Sequence, residues 1–199
     1  MSASLLPRPW AVTLCAGGLA FVCVTAHAHE SPIDHVEREL DLSVKDDQLL
    51  LRYRLRYSER ALLLQIHQMD GNADGELSAS ETAAFFTAHA AMLAALFTVQ
   101  VEGRAVKFQP VGAMRPDARL GQTYEFSAPL GNLAAGRHPG SFLDGYSRIY
   151  PGAFRWRRPG EGSPRATRVE PLIPPEAARS SPQQHPAWLE LKFEIVVPQ

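Results

Sequence analysis

The sequence predicts an α+β domain in which an antiparallel β-sandwich-like frame carries an inserted helix–loop–helix. Three observations support this fold class. Apolar and polar residues alternate over 40–57 and again over 188–197, which is the period of strands with one buried face. Between these regions, over 58–97, apolar residues recur at helical spacing on both sides of a polar, glycine-containing loop. Short strands separated by turns favour a sandwich over a bundle of helices.

The first two strands are predicted to form an antiparallel hairpin. Alternation over 40–44 is interrupted by the polar residues 45–48 and resumes over 51–57, where Arg52, Arg54 and Arg56 occupy every second position. A second hairpin is predicted from 97–101 and 105–108, which are joined through a glycine at 103. The helix–loop–helix would therefore be inserted between the second and third strands. Further strands are predicted at 123–127, 140–143, 153–156 and 188–197.

Residues 159–186 interrupt this pattern with seven prolines. Proline lacks a backbone donor and fixes φ, so we predict a mobile loop without regular structure across most of this stretch. The chain shows no internal repeat, and we predict a single domain over 29–199.

The loop at 70–81 places oxygen-bearing side chains at alternate positions. Calcium takes six to eight oxygen ligands. Asp70, Asn72 and Asp74 offer side-chain oxygens, and Gly75 stands where the chain must turn sharply. The full set of candidate ligands, which adds the backbone carbonyl of position 76, a water-mediated contact at 78 and a bidentate carboxylate at 81, is Asp70, Asn72, Asp74, Glu76, Ser78 and Glu81.

The flanking residues support this interpretation. Leu62, Ile66 and Met69 would form the buried face of the entering helix, and Leu77 would anchor the loop to a core. The exiting helix would bury Phe85, Phe86, Ala90 and Leu93. Residues 58–97 thus resemble the EF-hand calcium-binding proteins, and the resemblance implies Ca²⁺ as the bound ion. The alternative is a polar turn between helices that binds nothing.

EF-hands usually occur in pairs, and this sequence contains no second loop. We therefore expect the helix pair to dock on the protein's own sandwich in a monomer. A homodimer that pairs two loops across a two-fold axis is the alternative. The uncharged run after Thr82 approaches the length of a membrane span, but we predict a helix buried on both faces instead.

The N-terminus is typical of a secretory signal peptide over residues 1–28. An apolar run over 10–26 ends at Ala26-His27-Ala28, which has small residues where signal peptidase cleaves. An uncleaved membrane anchor is the alternative. Both cysteines, Cys15 and Cys23, lie inside this segment, so the mature chain would contain no disulfide.

We expect a periplasmic or secreted protein. Of the 20 basic residues only three are lysine, a bias that suggests a GC-rich bacterial genome. The formal net charge of −1 argues against nucleic acid as a partner. Because no nucleophile elbow, phosphate loop, dinucleotide fingerprint or paired-histidine zinc motif occurs, we predict a protein that is not an enzyme.

Two further patterns suggest other roles. A mature N-terminal His29 could offer its amine and imidazole to copper or nickel, as in a transition-metal chaperone, or it could simply be a disordered first residue. Asp144, Tyr146, Arg148 and Tyr150 form a polar–aromatic cluster that is either a recognition loop or a tight loop whose tyrosines cover the core. Together with the export signal and the loop at 70–81, this cluster is similar to extracytoplasmic regions associated with bacterial nickel/cobalt transporters. That resemblance implies a transporter partner and an accessory role.

Overall fold

Two β-sheets and one helix pair make up the computed structural model, which describes residues 35–117, 121–150, 152, 154–156, 167–172 and 190–199. In chain order the elements are β1 Val36–Lys45, β2 Gln48–Tyr57, α1 Glu59–Met69, α2 Ala79–Leu96, β3 Phe97–Val101, β4 Arg104–Val106, β5 Gln109–Pro110, β6 Arg115–Asp117, β7 Gly121–Pro129, β8 Gly136–Asp144, a 3₁₀ turn Gly145–Arg148, β9 Phe154–Trp156, β10 Arg168–Leu172 and β11 Glu190–Val197.

The first sheet has the strand order β5–β7–β2–β1–β9, with β6 also paired to β7. The second sheet has the order β10–β11–β8–β3–β4. The pairs are antiparallel except β1 with β9, which is parallel. The predicted α+β, sandwich-like class is confirmed. The helix pair is inserted between β2 of the first sheet and β3 of the second, as the sequence indicated.

Both predicted hairpins are present, and each has a two-residue turn. In the first, Lys45 pairs with Gln48 across Asp46 and Asp47, whose φ angles are 49° and 56°. In the second, Val101 pairs with Arg104 across a turn that includes Gly103 at φ 74°. Positive φ at both turn positions is the geometry whose twist matches that of paired strands.

The strand alternation separates a buried face from a charged face. On β2, Leu51, Tyr53 and Leu55 are buried, whereas the intervening arginines face outward. Arg54 lies 3.2 Å from Glu39 across the β1–β2 pair. Between the sheets, the ring of Phe97 has its centroid 5.1–5.2 Å from the rings of three aromatic residues, which are Tyr53, Phe126 and Phe142. The core is therefore built from both sheets around the start of β3.

The later strands match their predicted positions. Strands β7 and β8 are longer than the sequence indicated, and the described part of the last strand begins at Glu190. Within 159–186, where no regular structure was expected across most of the stretch, β10 forms a strand of five residues. Among the described strands β10 pairs only with β11, so it is an edge strand and tolerates Pro171. The rest of the proline-rich stretch lies outside the described residues.

The prediction that the exiting helix is buried on both faces was wrong. Helix α2 buries His89, Ala90 and Leu93, but the opposite face, with Met92 39% exposed, is open to solvent. Many residues on that face are alanine, whose small side chain costs little when exposed. No helix among the described residues has the length and apolar character needed to cross a membrane. The predicted signal peptide (1–28) and His29 lie outside the described residues.

Candidate metal centre

The entering helix leads directly into the loop. Ser58 caps α1 by accepting a hydrogen bond from the Ala61 N–H at 3.2 Å, and Asp70 is the C-cap residue. The buried residues of α1 are Ala61, Gln65 and Met69. The predicted face was therefore wrong at Ile66, which is 37% exposed, although Met69 is buried as expected. Compared with the predicted orientation, α1 is turned about its axis so that Gln65 faces the first sheet. There its side chain bonds the buried side chain of Gln122.

The exiting helix begins with a reciprocal cap. The Ser78 hydroxyl accepts from the Glu81 N–H at 3.2 Å, and the Glu81 carboxylate accepts from the Ser78 N–H at 3.0 Å. This capping box satisfies two N–H groups that a helix start would otherwise leave free. Ser78 was predicted to act through a bridging water, and the structure places it in the cap.

The carboxylate of Asp70, at the first ligand position, accepts hydrogen bonds from backbone N–H groups within the loop. Asp70 Oδ2 accepts from the Gly75 N–H at 2.9 Å, and Oδ1 accepts from the Asp74 N–H at 3.2 Å. Asn72 Oδ1 also accepts from the Asp74 N–H, at 2.9 Å. Gly75 has φ 83°, a conformation that side chains with a Cβ rarely adopt. The predicted sharp turn at position six is therefore present.

Glu81 joins the two ends of the loop. Its Oε1 accepts from the Asn72 N–H at 3.4 Å, while Oε2 accepts from the Ser78 hydroxyl at 2.7 Å. These bonds, with those of Ser78 first in importance, lower the pKa of Glu81 and keep the carboxylate ionised. Glu81, at the last loop position, thus lies beside the backbone of Asn72, which is near the first loop position.

Hydrogen bonds that involve their side chains connect five of the six candidate ligands, which are Asp70, Asn72, Asp74, Ser78 and Glu81. The side chain of Glu76 is exposed, as expected for a residue that would use its carbonyl. Leu77 is 41% exposed, so its predicted role as a core anchor was wrong.

The chemistry of the loop fits calcium, since every donor is oxygen and the loop is open to solvent. In this conformation the carboxylates accept from backbone N–H groups. In the described part of the chain, no three or more His, Cys, Asp or Glu side chains are grouped closely enough to hold a metal ion. Each carboxylate has about four lone-pair sites, so these hydrogen bonds leave its oxygens able to bind an ion.

Sequence patterns did not predict the polar contacts that hold the helices to the first sheet. Gln122 donates to Gln65 Oε1, and the Tyr124 hydroxyl donates to Gln122 Oε1 at 2.8 Å and bonds His89 Nδ1. All four residues are buried. Glutamine and histidine inside a helical pattern were the available signals, but their partners lie on a distant strand.

The Asp144 cluster is a buried ion pair with tyrosine partners. Arg38 Nε lies 3.1 Å from Asp144 Oδ2, and the Tyr53 hydroxyl donates to the same oxygen at 2.7 Å. Tyr146 is buried, whereas Arg148 is exposed. The arrangement agrees with the tight loop whose aromatic side chains cover the core.

The chain matches no family model, no curated protein and no solved structure.

His138 on β8 contacts the turn between β3 and β4 and the loop that precedes β8. Its Nδ1 lies 2.8 Å from Glu102 Oε1, and its Nε2 lies 2.8 Å from the Ala134 carbonyl oxygen. Both partners only accept hydrogen bonds, so both ring nitrogens donate and the imidazolium is favoured. The Glu102 bond, followed by the Ala134 bond, raises the pKa of His138.

A raised folded-state pKa means that this stabilisation is complete below the unfolded value of 6.5 and is lost as pH rises through the folded value. We expect the urea midpoint of the wild type to exceed that of His138→Gln by an amount that shrinks from about pH 6 to about pH 9. Parallel profiles for the two proteins would contradict the assignment. Urea denaturation of both proteins in the same buffers measures the difference between their midpoints.

Proposed function

We propose that the protein binds calcium through the loop at 70–81 and acts as an exported, non-enzymatic calcium-binding protein. The observation that carries the proposal is the convergence of Asp70 and Glu81 on the backbone of the same loop, together with the turn at Gly75. The ligands would be the side chains of Asp70, Asn72, Asp74 and Glu81 and the carbonyl of Glu76, with Ser78 retained as the helix cap.

The proposed role of calcium is structural. Both helices that flank the loop contact the first sheet through buried side chains, so an ion that orders the loop also stabilises the sandwich. Three ligand carboxylates in an unpaired loop favour a dissociation constant of about 10⁻⁵–10⁻³ M. At a calcium concentration about 100-fold above that constant, linkage would raise the free energy of unfolding by about 2.7 kcal/mol.

Calorimetry tests the proposal. We expect Asp70→Ala combined with Glu81→Ala to abolish calcium binding, and Glu81→Gln alone to weaken it at least about tenfold, because bidentate coordination is lost. Glu76→Gln is the matched control: it removes one negative charge from the same loop, but position 76 would coordinate through its carbonyl. Absence of calcium heat in the wild type, or equal losses in Glu81→Gln and Glu76→Gln, would overturn the proposal.

A further inference from the structure

Four buried side chains join the two helices to one strand, and we call them the β7 clamp: Gln65 on α1, His89 on α2, and Gln122 and Tyr124 on β7. None is more than 7% exposed. Their hydrogen bonds form one continuous chain from α2 through β7 to α1.

The hydrogen bonds of the β7 clamp have a single consistent direction. The Tyr124 hydroxyl donates its proton to Gln122 Oε1, so its oxygen accepts from His89 Nδ1. Gln122 then donates through Nε2 to Gln65 Oε1. Burial lowers the pKa of His89 to about 4, so the imidazole is neutral near pH 7 and carries the proton on Nδ1.

The clamp lies close to both ends of the loop. Asp70 follows Gln65 by five residues, about 7.5 Å along the helix axis, and Glu81 precedes His89 by eight residues, about 12 Å. Gln122 and Tyr124 are alternate residues of one strand and share a face. Side chains on one face of a single strand are therefore hydrogen-bonded to both helices that flank the loop.

We propose that Gln122 and Tyr124 are positioning residues for the calcium loop, holding Asp70 and Glu81 at a separation from which both can bind one ion. This inference rests on the proposed calcium function. The clamp acts through the helices, and neither β7 residue touches the ion. Without the clamp, Asp70 and Glu81 would have to be brought together when the ion binds, and this ordering would lower the calcium affinity.

Tyr124→Phe tests the inference because it removes only the hydroxyl that links His89 to Gln122. Tyr53→Phe is the matched control: it makes the same chemical change in the same core, but its hydroxyl bonds Asp144 and no helix. We expect calorimetry on folded protein to show calcium affinity about 5- to 10-fold weaker in Tyr124→Phe, and within about twofold of wild type in Tyr53→Phe. Equal affinities in the two variants would overturn the proposal.

A distance measurement without calcium separates this inference from the proposed function. Spin labels replace the exposed Gln68 on α1 and Ala84 on α2 in the full chain, with Cys15 and Cys23 changed to serine. The clamp predicts a broader interhelix distance distribution in Tyr124→Phe than in Tyr53→Phe. If the wild type binds no calcium, the proposed function fails, and the distances alone decide whether the clamp orients the helices. Identical interhelix distance distributions in Tyr124→Phe and Tyr53→Phe would show that the β7 clamp does not orient the helices.

Discussion

Asp144→Ala should lower the free energy of unfolding by about 3–5 kcal/mol, because it leaves the buried charge of Arg38 without its partner. Arg38 is 1% exposed and Asp144 is fully buried. Arg38 also donates to the carbonyls of Val36, at 2.9 Å, and Tyr150, so its position is fixed. Burial raises the pKa of Asp144, and the positive charge of Arg38 opposes that rise. Urea denaturation measures the effect.

A double variant tests whether the loss comes from an uncompensated buried charge. Arg38→Met combined with Asp144→Leu removes both charges, and we expect it to recover much of the loss caused by Asp144→Ala. Glu37→Gln is the surface control, since Glu37 and Arg56 form an exposed pair at 3.2 Å that should contribute less than about 1 kcal/mol. If Asp144→Ala fails to fold, the milder Tyr53→Phe reports on the same carboxylate. A loss below about 1 kcal/mol in Asp144→Ala would refute the assignment.

Phe97→Ala should destabilise the domain by about 3–5 kcal/mol. The ring lies between the two sheets, where it contacts Tyr53, Phe126 and Phe142, and removing it leaves a cavity that both sheets line. Phe97→Leu should cost less because it keeps most of the volume. Ile149→Ala, at a side chain 54% exposed, should change stability by no more than about 0.5 kcal/mol. Similar denaturation midpoints for the two alanine variants would show that Phe97 does not hold the sheets together.

Sequence patterns predicted secondary structure best for elements that bury one face and expose the other to solvent. The alternation of β2 located its strand, and the insertion point of the helices followed from it. Proline content was misleading at β10, because an edge strand needs fewer backbone donors than a central one. Helical periodicity suggested Ile66 for the buried face of α1, but a hydrogen bond to a residue 57 positions away turned Gln65 inward.

Sequence patterns predicted the candidate loop in more detail than the buried polar contacts elsewhere in the domain. Its hydrogen bonds span at most nine residues, so local spacing contains the information. The bonds from β7 to the two helices join residues 35 and 57 positions apart, and Arg38 and Asp144 are more than 100 positions apart. Such pairings depend on the register of two sheets, and no periodicity within one segment encodes that register.

The helix pair is also the covalent crossover between the two sheets, since it begins after β2 of one and ends at β3 of the other. Before the helices form, that crossover is a flexible span of about 40 residues, and closing it costs entropy that grows with the logarithm of its length. An ion that nucleates the helical turns on either side of the loop shortens the flexible span before the sheets meet. Calcium would then affect the rate at which the sandwich assembles as well as its final stability.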